Sequence, residues 1–257
     1  MDYFLIFILG LCIGSFLNVC VYRIPKARSI IRPRSFCPDC GKSIKWYDNI
    51  PLVSFAILRG RCRNCGKTIP VRYPFGELLT GLVSVLLYRY FGPTGAFAAY
   101  WVLSCALIVI ALIDLETWEV PDVISIPGIA AGVILMSVFR LDGASNAGLA
   151  FLDSIAGMFV GGLMMFLLSV IGEWAFKKEA VGGGDVKLMA MIGSFLGWKL
   201  TILAFFAAPL IGAGVAIFMK IRYKTEAVPY APFLAVGTLV SLLWGNKMLD
   251  ILLGVSS

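Results

Sequence analysis

Two aspartates stand where a membrane helix should not tolerate them. Asp114 ends the apolar run Trp101 to Ile113. Asp185 follows Gly182, Gly183 and Gly184, just ahead of another apolar run. A carboxylate at the edge of hydrocarbon is costly and usually has a functional partner. Two carboxylates brought together at one depth could share a proton and activate a water for peptide hydrolysis. The plain alternative is that each is an interfacial helix-end residue. The chain has no histidine, which removes Ser-His-Asp, Cys-His and His-Glu-x-x-His arrangements. Acid and base work therefore falls to carboxylates, Lys, Tyr or Cys.

The surroundings of the aspartates favour chemistry. Gly182, Gly183 and Gly184 carry no side chains, so another backbone can approach closely. An extended peptide lying there could present its scissile bond to Asp185. A flexible connector into the next helix is the competing reading. Lys187 is two positions on, so it points to another face and could snorkel to headgroups. Beyond Asp114, Pro121 breaks any continuing helix, and Asp122 is expected to cap the next one. Glu116 and Glu119 read as solvated loop acids. Gly157-x-x-x-Gly161 and Gly193-x-x-x-Gly197 offer small faces for helix packing.

A second constellation lies in a basic segment. Cys37-Pro38-Asp39-Cys40 is followed, after twenty-one residues, by Cys62-Arg63-Asn64-Cys65, and each pair precedes Gly-Lys. Two such knuckles can offer four thiolates in tetrahedral geometry, which suits zinc. A reducing cytoplasm argues against two structural disulfides. Four Cys ligands close the site to water, so a catalytic zinc is not expected. Its expected work is to hold together a loop with little core of its own. Cys12, Cys20 and Cys105 fall in apolar runs and read as packing residues.

The elements that must position these residues follow from composition. Hydrophobic residues make up 60% of the chain, too apolar for a soluble domain. The expected fold is an all-α polytopic membrane protein of about eight transmembrane helices with a zinc-binding loop. The spans are 3–22, 77–91, 96–114, 123–139, 148–172, 185–198, 200–219 and 231–253, each to be judged against the roughly 20 residues a bilayer needs. The first lacks a basic leader and reads as a retained helix. Arg23 to Arg72 holds twelve Lys or Arg and two acids, Asp39 and Asp48, so it is assigned to the cytoplasm. Counting onward puts Lys177, Lys178, Lys220, Arg222 and Lys224 inside, Arg89, Arg140, Lys199 and Lys247 outside, and both termini outside. Asp114 and Asp185 then both fall at the cytoplasmic edge, although Lys and Arg alone set the orientation. The net charge of +7 is mainly this topology signal. It also suits anionic lipid, and nucleic acid is not invoked.

Taken in order, these residues resemble the bacterial type IV prepilin peptidases. The resemblance rests on Gly14-Ser15-Phe16-Leu17-Asn18-Val19 with Tyr22-Arg23-Ile24-Pro25, on the paired Cys loop, and on Asn49-Ile50-Pro51, Arg72-Tyr73-Pro74 and Glu77-Leu78-Leu79-Thr80-Gly81. Asp114 with Pro121-Asp122, Gly182 to Leu188, and Ala231-Pro232-Phe233-Leu234-Ala235 complete it. The resemblance implies an inner-membrane enzyme that cleaves the basic leader of type IV prepilins or type II secretion pseudopilins on the cytoplasmic side. It further implies S-adenosylmethionine-dependent methylation of the new N-terminal amine. The peptidase aspartates carry over to Asp114 and Asp185, and the methyltransferase side to Asn18 and Glu77. The implied organisation is a first helix, 1–22, a four-cysteine zinc loop of the methyltransferase part, 23–76, and an aspartic peptidase core, 77–257. Intramembrane acids beside a glycine-broken helix would alternatively suit an ion-coupled transporter.

Overall fold

The structure, a computed structural model, describes residues 1–139, 145–176, 182–223 and 228–253. Arg140, Lys177, Lys178, Val181, Lys224 and the last residues lie outside the described ones. Among the described residues the chain is helical, and its only β pairing is two isolated bridges in the Cys loop. The helices are α1 (Asp2–Arg23), α2 (Val53–Ile57), α3 (Arg72–Phe91), α4 (Gly95–Thr117), α5 (Asp122–Phe139), α6 (Ala147–Phe176), α7 (Gly183–Tyr223) and α8 (Ala231–Leu253). Six of them are long and apolar enough to cross a membrane: α1, α4, α5, α6, α7 and α8.

The two other expected spans exist as helices with different character. α3 has the length, but it carries Glu77, Thr80, Ser84 and Arg89 and is not among the apolar six. A continuous α7 of 41 residues would be about 60 Å long, twice a hydrocarbon core. It is not continuous. Gly197 has φ 71° and ψ 171°, outside helical space, and divides α7 into 183–196 and 198–223. Only glycine adopts that conformation without strain. Outward faces are apolar, as lipid requires: Ile134, Leu210 and Ile251 are among the exposed large side chains.

The chain divides into two compact units, Met1–Phe97 and Ala98–Ser257. In the first, α1 packs on α3 through small residues. A Cβ on Gly14 would lie 2.7 Å from the Glu77 Cα, and one on Gly10 would lie 2.8 Å from the Gly81 Cα. Buried Arg23, at the end of α1, ties down the loop that follows. Its Nη1 donates to Ser29 O at 2.9 Å and its Nη2 to Pro33 O at 2.8 Å.

In the second unit α6 packs on α7, α7 on α8, and α5 on both α6 and α7. The two small-residue motifs meet each other. A Cβ on Gly157 would strike the Gly193 carbonyl, and one on Gly193 the Gly157 carbonyl. The glycines at 128 and 132 do the same for α5, fitting against Met191 and Ser194 of α7. Between helices already surrounded by lipid, close packing rather than the hydrophobic effect drives association, so these positions must be small.

Candidate active site

Helix periodicity explains why Asp114 faces inward. Leu103, Leu107, Ile110 and Asp114 recur at helical spacing, and all are buried, Asp114 to 6% exposure. The same reasoning places Asp185, half-buried, above the fully buried Leu188, Met189 and Ile192 of α7. Each carboxylate thus continues the apolar stripe of its helix.

The loop between α4 and α5 brings the two helix ends together. Trp118 adopts a left-handed φ of 60° and its N–H donates to Asp114 O at 3.0 Å, so the chain turns directly after α4. Val120 then lies on Gly184, where a Cβ would come within 2.8 Å of the Val120 Cβ. Asp114, Trp118, Glu119, Val120, Pro121, Asp122, Gly182, Gly184 and Asp185 line one cavity of about 510 Å³. Asp114 and Asp185 are close enough to interact electrostatically. The sequence places these two acids 71 positions apart, and the fold gives them one pocket.

The glycines divide by task. Gly184 is filled internally by Val120, so its missing side chain serves the fold before any peptide arrives. Among the described residues Gly183 has nothing within 4 Å of a Cβ, and Gly182 has the Asp185 carboxylate at 3.8 Å and the Gly184 nitrogen at 4.0 Å. Gly182 and Gly183 are both exposed.

A third element reaches the acids that the sequence did not reveal. The N–H of Ala231, first residue of α8, donates to Asp114 Oδ2 at 2.9 Å, and the N–H of Tyr230 assists it. The Tyr230 phenol lies within electrostatic reach of Asp185. The one signal for this contact in the sequence is the Ala231-Pro232-Phe233 segment.

Asp122 does not act as the expected cap. Its carboxylate is taken by the Lys187 ammonium, with Nζ–O distances of 2.6 and 2.7 Å. Lys187, expected to snorkel, instead pairs with Asp122, which lines that cavity. Glu119 lines that cavity as an exposed acid, and Glu116 is exposed at the end of α4.

The Cys loop forms a separate site inside the first unit. Its two knuckles repeat one hydrogen-bond pattern with an offset of 25 residues. Cys37 N–H donates to Lys42 O at 3.0 Å and Gly41 N–H to Cys37 O at 2.9 Å. Cys62 N–H donates to Lys67 O at 2.8 Å and Gly66 N–H to Cys62 O at 2.9 Å. Gly41 and Gly66 hold matching left-handed φ values of 69° and 70°. The sulfurs of Cys37, Cys40, Cys62 and Cys65 all lie within 4.8 Å of one another, as a single metal ion requires. Backbone N–H groups of Cys65 and Asn64 draw the Cys62 thiol down to about 7. Lys67 joins the knuckles through Asp39 at 2.8 Å. Arg63 pairs with Asp48 at 2.7 Å and holds that carboxyl below its ordinary range.

Next to the knuckles is a cavity of about 190 Å³ whose lining includes Asn18, Tyr22, Arg23, Cys37, Cys62 and Glu77. Asn18 donates to Tyr73 O at 2.9 Å, and Glu77 accepts the Leu52 N–H at 2.9 Å. Both therefore organise backbone around the cavity they line.

Fold and site define a multi-pass helical membrane protein with two acids in one cavity and a four-cysteine loop. Residues 8–91 match the bacterial peptidase A24 N-terminal domain, and residues 101–217 match the type IV leader peptidase family. The first match stops before the boundary between the two units and the second begins after it. A prepilin leader peptidase/N-methyltransferase of Myxococcus xanthus is 44% identical over 214 residues, 83% of this chain and 62% of the relative. The chain thus spans less than two thirds of that relative's length. Proteins with the same description from Aeromonas hydrophila and Pseudomonas aeruginosa are each 34% identical, covering 95% and 94% of this chain and 91% and 90% of the relatives. No solved structure matches significantly. The chain belongs to the type IV leader peptidase family. These relatives leave the ion-coupled transport reading without support.

Proposed function

We propose that this chain cleaves the basic leader of type IV prepilins or type II secretion pseudopilins at the cytoplasmic membrane face and then methylates the new N-terminal amine. The observation that carries the reading is the single cavity shared by Asp114 and Asp185. One ionised aspartate takes a proton from water, and the resulting hydroxide oxygen attacks the scissile carbonyl carbon. The other aspartate, protonated, donates to the carbonyl oxygen. The tetrahedral species then collapses, with the proton passed to the leaving amine. The substrate is itself a membrane helix with a basic cytoplasmic leader, so its scissile bond arrives at the depth of both acids. Open backbone at Gly182 and Gly183 is the approach for that extended segment.

The four cysteines hold a structural zinc. Their spacing, their mutual distances and the closed ligand set fit it, and no position is left for water. The methyltransferase side is the unit built from α1, the Cys loop and α3. Glu77 and Asn18 line one cavity there and would meet the same S-adenosylmethionine. When bound, that cofactor supplies the methyl group. Of the expected division into 1–22, 23–76 and 77–257, the part from Glu77 to the end of α3 goes with the methyltransferase side in this reading, because α3 packs on α1 within the first unit.

The test is to incubate the purified protein with candidate prepilins and S-adenosylmethionine and to follow the products by mass spectrometry. Loss of the leader together with a methyl group on the new N-terminus is expected. Intact prepilins throughout the panel would contradict the reading.

A further inference from the structure

The segment between the two knuckles carries exposed apolar side chains that neither site uses. Trp46 and Ile57 are 81% and 70% exposed, and Ile50 and Val53 are exposed as well. Val53 and Ile57 stand four apart in α2 and share one of its faces, while Ser54 is buried. Lys45, Arg59 and Arg61, all exposed, flank the segment. The one acid there, Asp48, is already paired with Arg63 at 2.7 Å.

The depth of this segment is fixed by α1 and α3. The apolar span Asp2–Lys26 is about 37 Å long, so it crosses a hydrocarbon core of about 30 Å with its midpoint at Gly14. Gly14 packs on the Glu77 backbone of α3. The Glu77 carboxylate in turn accepts the Leu52 N–H at 2.9 Å. One glutamate side chain and one hydrogen bond together are shorter than half a hydrocarbon core, about 15 Å. Leu52 and its neighbours in α2 therefore sit where α1 is still crossing lipid. The backbone there suits that medium, in which N–H groups need protein acceptors. Ile50 N–H donates to Ser54 Oγ at 2.9 Å, Ser54 N–H to Ile50 O at 3.0 Å, Ala56 N–H to Leu52 O at 3.0 Å and Leu58 N–H to Ser54 O at 2.9 Å. The Ser54 hydroxyl donates to Tyr47 O at 2.9 Å. Water could do the same work for an exposed loop, whereas hydrocarbon could not.

We propose that residues 46–57 lie in the membrane interface, with Val53 and Ile57 against phospholipid acyl chains, Trp46 at headgroup level, and Lys45, Arg59 and Arg61 toward lipid phosphate. The basic block from Arg23 to Arg72 is then not wholly in water, because its middle folds back onto the leaflet that α1 has just left. A phospholipid leaflet is the occupant that supplies acyl chains and negative charge together. A basic peptide leader would be repelled by the same cations. Leu52, Ser54, Phe55 and Leu58 also line the cavity beside the knuckles. A membrane-held N-terminus could thus reach that cavity without leaving the bilayer. This consequence rests on the methylation reading above, and the lipid contact itself does not.

The experiment places the full-length purified protein in nanodiscs of phosphatidylcholine and phosphatidylglycerol, one protomer per disc. Its tryptophan fluorescence is compared with that of Trp46→Phe, and the difference is the emission of Trp46. That emission should lie to the blue of an indole in water, and lipids brominated on their acyl chains should cut it by half or more. Ile57→Trp, made in the Trp46→Phe background and compared in the same way, should be quenched as well. If either indole emits as in water, or is untouched by brominated lipid, the proposal is overturned. Shielding that appears only with two protomers per disc assigns the face to a second copy and overturns it too. Prepilin cleavage enters none of these measurements, so the peptidase reading stands or falls separately.

Discussion

The Cys loop and the aspartate cavity solve opposite assembly problems. Each pair of sulfurs comes from one short hairpin, and the two hairpins repeat the same turn 25 residues apart. Little inherent stability is needed, because apparent zinc binding worth about 10–16 kcal/mol can supply the folding energy of such a segment. The exposed pair between Lys67 and Asp39 adds little beside that, being screened by water. The aspartate cavity has no such local unit. Asp114, Asp185 and Ala231 come from three helix ends, and the bond between Ala231 and Asp114 spans 117 positions. Packing of glycines against neighbouring helices does the assembly there. A metal-organised site should thus fail by losing its metal, and a packing-organised site by losing an ångström of fit.

The largest effect that separates the two regions is expected from replacing Cys37, Cys40, Cys62 and Cys65 together by Ser. Bound zinc should fall from about one per chain to none, as four thiolates make one closed site. The loop should become protease-sensitive and methylation should collapse, while leader cleavage falls less. Metal analysis finding no zinc in the unmodified protein would remove the first half of the comparison. Equal loss of cleavage and methylation in a stably inserted variant would remove the independence of the two sites.

A smaller effect should follow from filling Gly184. A leucine there has to displace Val120, which lies 2.8 Å from where its Cβ would be. Cleavage is expected to drop about 10- to 100-fold, the usual consequence of roughly 1 Å of misplacement. Gly214→Ala, at an exposed position of α7 away from the acids and with nothing within 4 Å among the described residues, should stay within about twofold. Similar rates for the two variants would mean that the Val120 contact does not set the distance between the acids.

Gly157→Val tests the packing that holds the peptidase helices. Overpacking against the Gly193 carbonyl should cost about 1–3 kcal/mol and lower the melting temperature in detergent. An unchanged melting curve would show that α6 and α7 can separate freely at this point. The smallest change is expected from the exposed Asp122–Lys187 pair. Asp122→Asn or Lys187→Met should move stability by at most about 1 kcal/mol, with cleavage within a few-fold. Complete loss of cleavage in Asp122→Asn would mean that Asp122, not Asp114, is the partner of Asp185.

What the sequence revealed follows the same divide. The knuckles were legible because their ligands, turns and glycines are neighbours in the chain. The two aspartates were legible because charge beside long apolar runs is rare. Six apolar helices could be found by hydropathy alone, but α3 was marked only weakly, since Glu77 and Arg89 dilute it. The division of α7 was readable, but the gap between the expected spans 185–198 and 200–219 fell at Lys199, two residues beyond the actual break at Gly197. The contacts that complete the acid site were not readable. Val120 on Gly184, Lys187 on Asp122 and Ala231 on Asp114 each depend on which helix ends meet, and no local pattern encodes that. Asp122 has the residue type and position of a cap, which is a pattern within one turn, whereas its partner in the fold sits 65 positions away.

The central claim is that Asp114 and Asp185 act as one hydrolytic centre. The most direct measurement is cleavage of a single prepilin by the unmodified protein, Asp114→Asn and Asp185→Asn, each at matched membrane levels and each read by mass spectrometry. The account predicts leader release by the unmodified protein and a loss of at least about a thousand-fold in either variant, because members of one catalytic unit fail singly. Near-normal leader release by either variant would contradict it.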